Sequence, residues 1–169
     1  MNIQEHEMVD VTARLQALGL SLPAPTRIPA GVHIPFDLVR VRGRRVMISG
    51  HPKSHADGRI AGPFGQLGTD LTTKDGYDAS REIALAVLAN VQAEIGNLSR
   101  VSGWARVFGM VNSAPGFTDQ HLVINGFSDL VLEVFGPDIG GHARSAIGVA
   151  GLPMNFAIEI EAELELSEG

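Results

Sequence analysis

The stretch from Phe156 to Leu166 constrains this chain more than any other. Phe156, Ile158, Ile160, Ala162, Leu164 and Leu166 alternate with Ala157, Glu159, Glu161, Glu163 and Glu165. Successive side chains of a strand point to opposite faces, so a period of two with one apolar row predicts a half-buried strand. A helix would scatter the same glutamates around its circumference. A strand of this kind needs strand neighbours at its edges and an apolar layer over one face.

The rest of the chain supplies both. Met8, Val11, Leu15 and Leu18 recur at helical spacing, predicting an amphipathic helix over residues 3–18 with Gly19 as its C-terminal cap. Residues 20–31 carry Pro23, Pro25 and Pro29 and read as an extended connector. Residues 37–42 and 45–50 flank Gly43 as a β-hairpin, and residues 51–70 form a long Gly/Pro-rich loop. Residues 72–98 show the clearest helical stripe: Ala84, Val87, Leu88, Val91, Ile95 and Leu98, with Thr72 or Thr73 as cap and Asp75 in the first turn. A strand over 104–112 follows. Next comes a helix with Val123, Phe127, Leu130, Val131 and Val134 on one face, stopped by Gly136-Pro137. A strand over 142–150 precedes the last one. The fold class expected is α+β: a two-layer sandwich with two main helices on one face of a mixed sheet, plus the N-terminal helix. The second sheet face must be solvated or buried by another subunit.

Composition removes several function classes. A chain of 169 residues fits one domain, here residues 32–169 preceded by the helix and connector of residues 1–31. The absence of cysteine excludes disulfides, thiolate metal sites, iron–sulfur clusters and a cysteine nucleophile. A net charge of −6 argues against a nucleic-acid surface. No apolar run is long enough to span a membrane, and the acidic N-terminus lacks the apolar core of a signal peptide, so a cytoplasmic location is expected. The histidines His6, His33, His51, His55, His121 and His142 show no recognised metal-ligand spacing, and no phosphate or dinucleotide loop is present. Neither metal nor cofactor is expected.

Four features carry candidate chemistry. His142 and Arg144 fall on one face of a strand otherwise made of small or apolar residues, leaving space around a guanidinium that can grip a carboxylate with two parallel hydrogen bonds. The bland alternative is an arginine paired with a structural glutamate. The glutamate row is best read as a solvated face, from which Glu159 could act as a base or position water, but the pattern alone does not single it out. Arg40, Arg42, Arg44 and Arg45 form either an anion patch or, more simply, cross-strand partners for that row. Ser49, before Gly50, reads as a strand-end serine with no sign of a triad.

Taken in order, Val46–His51, Gly68–Thr72, Val111–Ser113, His142–Ala146, Leu152-Pro153 and Phe156–Ala162 resemble the reactive intermediate deaminase A (YjgF) family over residues 32–166, in its longer subgroup. The resemblance implies a chorismate-mutase-like fold and a homotrimer, with small carboxylate or imine ligands bound in clefts between subunits. It implies hydrolysis of enamines and imines, such as 2-aminoacrylate, to 2-keto acids and ammonia. Arg144 matches the arginine that holds the substrate carboxylate, and Glu159 the glutamate that positions water. Ser49, Gly50, Asn112 and His142 fall on binding motifs. Phe36 stands where the family has tyrosine, Ala146 where it has cysteine, and His51 where it has glutamine. These departures favour a different substrate, or an alternative role as a non-catalytic binder of small carboxylates that senses metabolites. A ribonuclease reading, attached to some relatives, is disfavoured by the acidic charge and by the lack of a basic aromatic groove.

Overall fold

The computed structural model describes residues 10–168. Asp10 caps the first helix, α1 (Val11–Ala17), by accepting from the Ala13 amide at 3.0 Å. The expected helix began earlier, and residues 3–9 of that expectation lie outside the described residues. Val11 and Leu15 are buried, and the Arg14 side chain donates to the Glu133 carbonyl at 2.8 Å. The proline-rich connector is pinned by Asn90, whose amide accepts from the Thr26 backbone at 2.9 Å and donates to the Thr26 hydroxyl at 2.8 Å.

The hairpin forms as β1 (Val39–Arg42) and β2 (Arg45–His51) around Gly43, whose φ of 59° suits glycine. The long helix is α2 (Thr73–Ile95), opened by a reciprocal capping box between Thr72 and Asp75. It ends earlier than its apolar stripe suggests, because Gly96 turns to φ 84° and the chain closes through a short 3-10 turn at Leu98–Arg100. β3 (Val101–Asn112) is followed by α3 (Gln120–Gly140), whose helical course breaks at Gly136, as the Gly-Pro pair implies. β4 (Ala143–Val149) and β5 (Ile158–Leu166) complete the chain. No described helix is long and apolar enough to cross a membrane.

The five strands order as β1-β2-β5-β3-β4. Only β3 and β4 run parallel, joined by the α3 crossover; all other pairs are antiparallel. The C-terminal strand therefore lies in the middle of the sheet, which explains its regular pattern: its apolar row is buried residue by residue beneath the helices. α2 and α3 lie side by side over that face. They approach closely at Gly126, where a Cβ would fall on the Tyr77 carbonyl, and are joined by Arg81–Glu133 and Tyr77–Asp129. No described residue covers the opposite face. At its hairpin end it holds the ion pair Arg45–Glu163, with Arg44 reaching Glu165 and Glu168. Of the hairpin arginines, Arg45 and Arg44 thus meet the acidic row, while Arg40 pairs with Asp37.

Candidate functional site

The sequence-selected residues fall into two groups on opposite sides of the sheet. Register places Arg144 beside Val107, and Val107 beside Ala162, so Arg144 belongs to the helix-facing side. Glu159 pairs with Met110 on the uncovered side. A single chain does not bring Arg144 and Glu159 together.

The first group gathers at the edge strand. The α3 crossover sets β4 at the rim, where helix cover is incomplete, and the guanidinium of Arg144 is only partly buried. Its Nη1 donates to Ser128 Oγ at 3.0 Å and its Nη2 to the His121 carbonyl at 3.3 Å, both on α3. Among the described residues it joins no ion pair: Asp129, the acid that acts on it, directs its carboxylate to the Tyr77 hydroxyl at 2.9 Å. Burial pulls the Arg144 pKa below its usual value, with Asp129 opposing the shift. A partly desolvated cation without a carboxylate partner is a natural receptor for one from a ligand. Ala146, two residues on, shares the Arg144 row, opposite Gly109, and leaves only a methyl group there. His142 has both ring nitrogens engaged, Nδ1 with the Gly140 carbonyl at 2.7 Å and Nε2 with Ser128 at 2.9 Å. It therefore supports this corner from behind and has no ring nitrogen left for a ligand.

The second group lies on the uncovered face. A β-bulge between Ile48 and His51 interrupts the pairing of β2 with β5. It brings Gly50 under Glu159, so that a Cβ at residue 50 would fall on the Glu159 carboxylate. Glu159 is half-buried, and desolvation, then the neighbouring charge of Glu161, raises its pKa above the ordinary carboxylate value. Ser49 Oγ donates to the Asp37 carbonyl at 2.7 Å, tying the bulge to the start of the hairpin. Beside it lies a hollow of about 210 Å³, lined in part by Ser49, Arg106, Phe108, Glu161 and Glu163. Arg106 stacks over the Phe108 ring at 5.3 Å.

Other expected site residues lie elsewhere. Asn112, at the end of β3, is 1% exposed. Its amide donates to the Phe156 carbonyl and Asn155, and accepts from Gln66, so it ties the loop to the turn before β5 instead of facing a ligand. Phe36 is 53% exposed and borders a hollow with Asn90 and Ala93, one residue before Asp37, whose carbonyl accepts from Ser49. His51 is fully buried: Nδ1 donates to the Ser49 carbonyl at 2.6 Å, and Nε2 has no partner among the described residues. Burial lowers its pKa. Sequence reasoning missed Ser128, whose only signal was a hydroxyl residue within the apolar run of α3.

Comparison with known proteins agrees with this architecture. Residues 12–164 match the family model described as "YjgF/chorismate mutase-like, putative endoribonuclease". Protein TCP17 of Trypanosoma cruzi is 42% identical over 158 residues, covering 93% of this chain and 94% of its own. The crystal structure of Atu1372 from Agrobacterium tumefaciens, described as of unknown function, superposes with a TM-score of 0.80 at 34% identity, over 94% of this chain and 93% of that one. A Shewanella oneidensis structure, described as a putative endoribonuclease, gives 0.82 at 30% identity, over 92% and 99%.

Proposed function

This chain belongs to the YjgF/chorismate mutase-like family, and from that premise we propose that it hydrolyses 2-imino acids, or the enamines that tautomerise to them, to 2-keto acids and ammonia. The observation that carries this reading is Arg144: a partly desolvated guanidinium, held by α3 and without a carboxylate partner among the described residues.

In this reading Arg144 takes the substrate carboxylate in a two-point grip, which fixes the imine carbon relative to the protein. Water adds to that carbon. One of its protons passes through the Glu159 carboxylate, whose raised basicity suits a general base, to the imine nitrogen to give a carbinolamine, and the proton of the new hydroxyl follows the same route to the nitrogen as the C–N bond breaks. The carbonyl of the keto acid forms and ammonia leaves. Arg144 and Glu159 occupy opposite sides of one sheet, which supports a site that combines Arg144 of one copy with Ser49, Gly50 and Glu159 of another, in the homotrimer that the family resemblance implies. The uncovered sheet face is the surface available for such packing. Imines hydrolyse in water unaided, so positioning and one base suffice.

The test is purified protein supplied with 2-aminoacrylate generated by a dehydratase. Faster release of keto acid, lost in Arg144→Ala, supports the reading; no acceleration, or acceleration unchanged in Arg144→Ala, overturns it. Phe36 and Ala146 favour a second reading, a trimer that binds small carboxylates without turnover. Calorimetric binding of keto or aromatic acids with no hydrolysis of any imine would select it.

A further inference from the structure

We propose that Ser128 is a positioning residue for Arg144, and that Ser128 and His142 form a one-way hydrogen-bond relay presetting the guanidinium for a ligand carboxylate. The inference rests on the carboxylate-binding role of Arg144 proposed above, but the relay itself follows from donor and acceptor chemistry.

A backbone carbonyl only accepts. The 2.7 Å contact between His142 Nδ1 and the Gly140 carbonyl therefore places the proton on Nδ1. In the neutral ring Nε2 is then an acceptor, and Ser128 must donate its single hydroxyl hydrogen across the 2.9 Å contact. With that hydrogen committed, Ser128 Oγ turns its lone pairs elsewhere and accepts from Arg144 Nη1 at 3.0 Å. The chain of donors runs from Arg144 to Ser128 to His142 to the Gly140 backbone, and each step determines the next. A second anchor, Nη2 to the His121 carbonyl, stops the guanidinium from rotating about the first.

The surroundings protect this arrangement. The His142 ring lies 6.5 Å from the buried Trp104 ring, which Phe127 and Phe135 hold edge-on. Asp129, adjacent to Ser128 on α3, is hydrogen-bonded to Tyr77 of α2 and leaves Arg144 without an ion pair among the described residues. The relay and the His121 anchor together occupy two of the five guanidinium N–H groups, leaving the others for a ligand. A serine at this place thus orients the arginine without neutralising it, which a carboxylate there would do.

Two measurements test the relay. The first needs no ligand: the Arg144 side-chain resonances in 15N-arginine-labelled protein, assigned by their loss in Arg144→Ala. Slow guanidinium rotation is expected in wild type and Ser128→Thr, and fast rotation in Ser128→Ala. Unchanged rotation in Ser128→Ala overturns the relay whatever the protein binds. The second is calorimetric titration with 2-oxobutanoate. Ser128→Ala should weaken binding about tenfold, the worth of one charge-assisted hydrogen bond. Ser128→Thr should recover it to within about threefold, with melting temperatures matching wild type throughout. Loss of binding in Arg144→Ala alone, with Ser128→Ala binding as wild type does, refutes the positioning role and spares the proposed function. Wild-type binding by Arg144→Ala refutes the proposed function, while the resonance measurement still decides the relay.

Discussion

The Glu159 carboxylate occupies the space that a side chain on residue 50 would need. Glycine at the β2 bulge therefore sets where the half-buried acid of the central strand can lie. Gly50→Ala should displace the Glu159 side chain and reduce turnover of 2-aminoacrylate at little cost in stability, because the obstructing atoms are the end of a flexible, half-buried side chain. Urea denaturation and the coupled keto-acid assay on the same preparation would measure both. Unchanged turnover would dissociate Gly50 from the placement of the acid.

Because Arg144 and Glu159 face opposite sides of one sheet, the proposed site makes a prediction that an intrachain site does not. Arg144→Ala and Glu159→Gln should each be inactive. Unfolded together in equal amounts and refolded, they should recover about one quarter of wild-type activity, since half the copies supply an intact Arg144 and half an intact Glu159 in a heterologous ring. A mixture as inactive as its components would refute a site shared between copies.

The acid limb of the rate profile follows from Glu159. Burial, then the charge of Glu161, raises its pKa, so activity should fall with decreasing pH at a point above the ordinary value of 4.5. Glu161→Gln removes the repelling charge and should move that limb to lower pH. A limb that stays in place would show that Glu159 is not the group being titrated.

His51 gives the fold its own response to acid. Burial depresses its folded-state pKa, whereas the unfolded chain takes up a proton near 6.5. The unfolded state then binds more protons, so stability should fall as pH drops below that value, by about 1.4 kcal/mol per unit until the folded-state pKa is reached. Urea denaturation at several pH values would measure the slope, and His51→Gln should flatten it. Equal slopes in both proteins would assign the acid sensitivity to other groups.

Much of this was legible in the sequence, for a local reason. The Phe156–Leu166 alternation, the α2 stripe and the Gly136-Pro137 stop each encode burial or chain direction within a few residues, and each element forms within a few residues of its pattern. Arg144 stood out as the cation in a strand of small and apolar residues. Glu159 did not stand out from its row by pattern; family resemblance selected it, and the clash with Gly50 gives a physical reason that depends on a bulge no periodicity reports. Asn112 looked like a binding residue because it lies in a motif, yet its amide is committed to the loop and turn around it. Ser128 was invisible because its role depends on α3 crossing over β4.

By itself, then, the sequence determined which residues form helices and strands, which face of each is buried, and which family's motifs the chain carries. These follow from side-chain periodicity and turn chemistry along the chain. The tertiary structure decided the order of the strands, with the C-terminal strand central and β4 at the rim. Strand register put Arg144 and Glu159 on opposite faces, and the packing of α3 gave Arg144 Ser128 as its support and no acid among the described residues. No local pattern could specify these relationships, because they arise from the packing of segments distant in the chain.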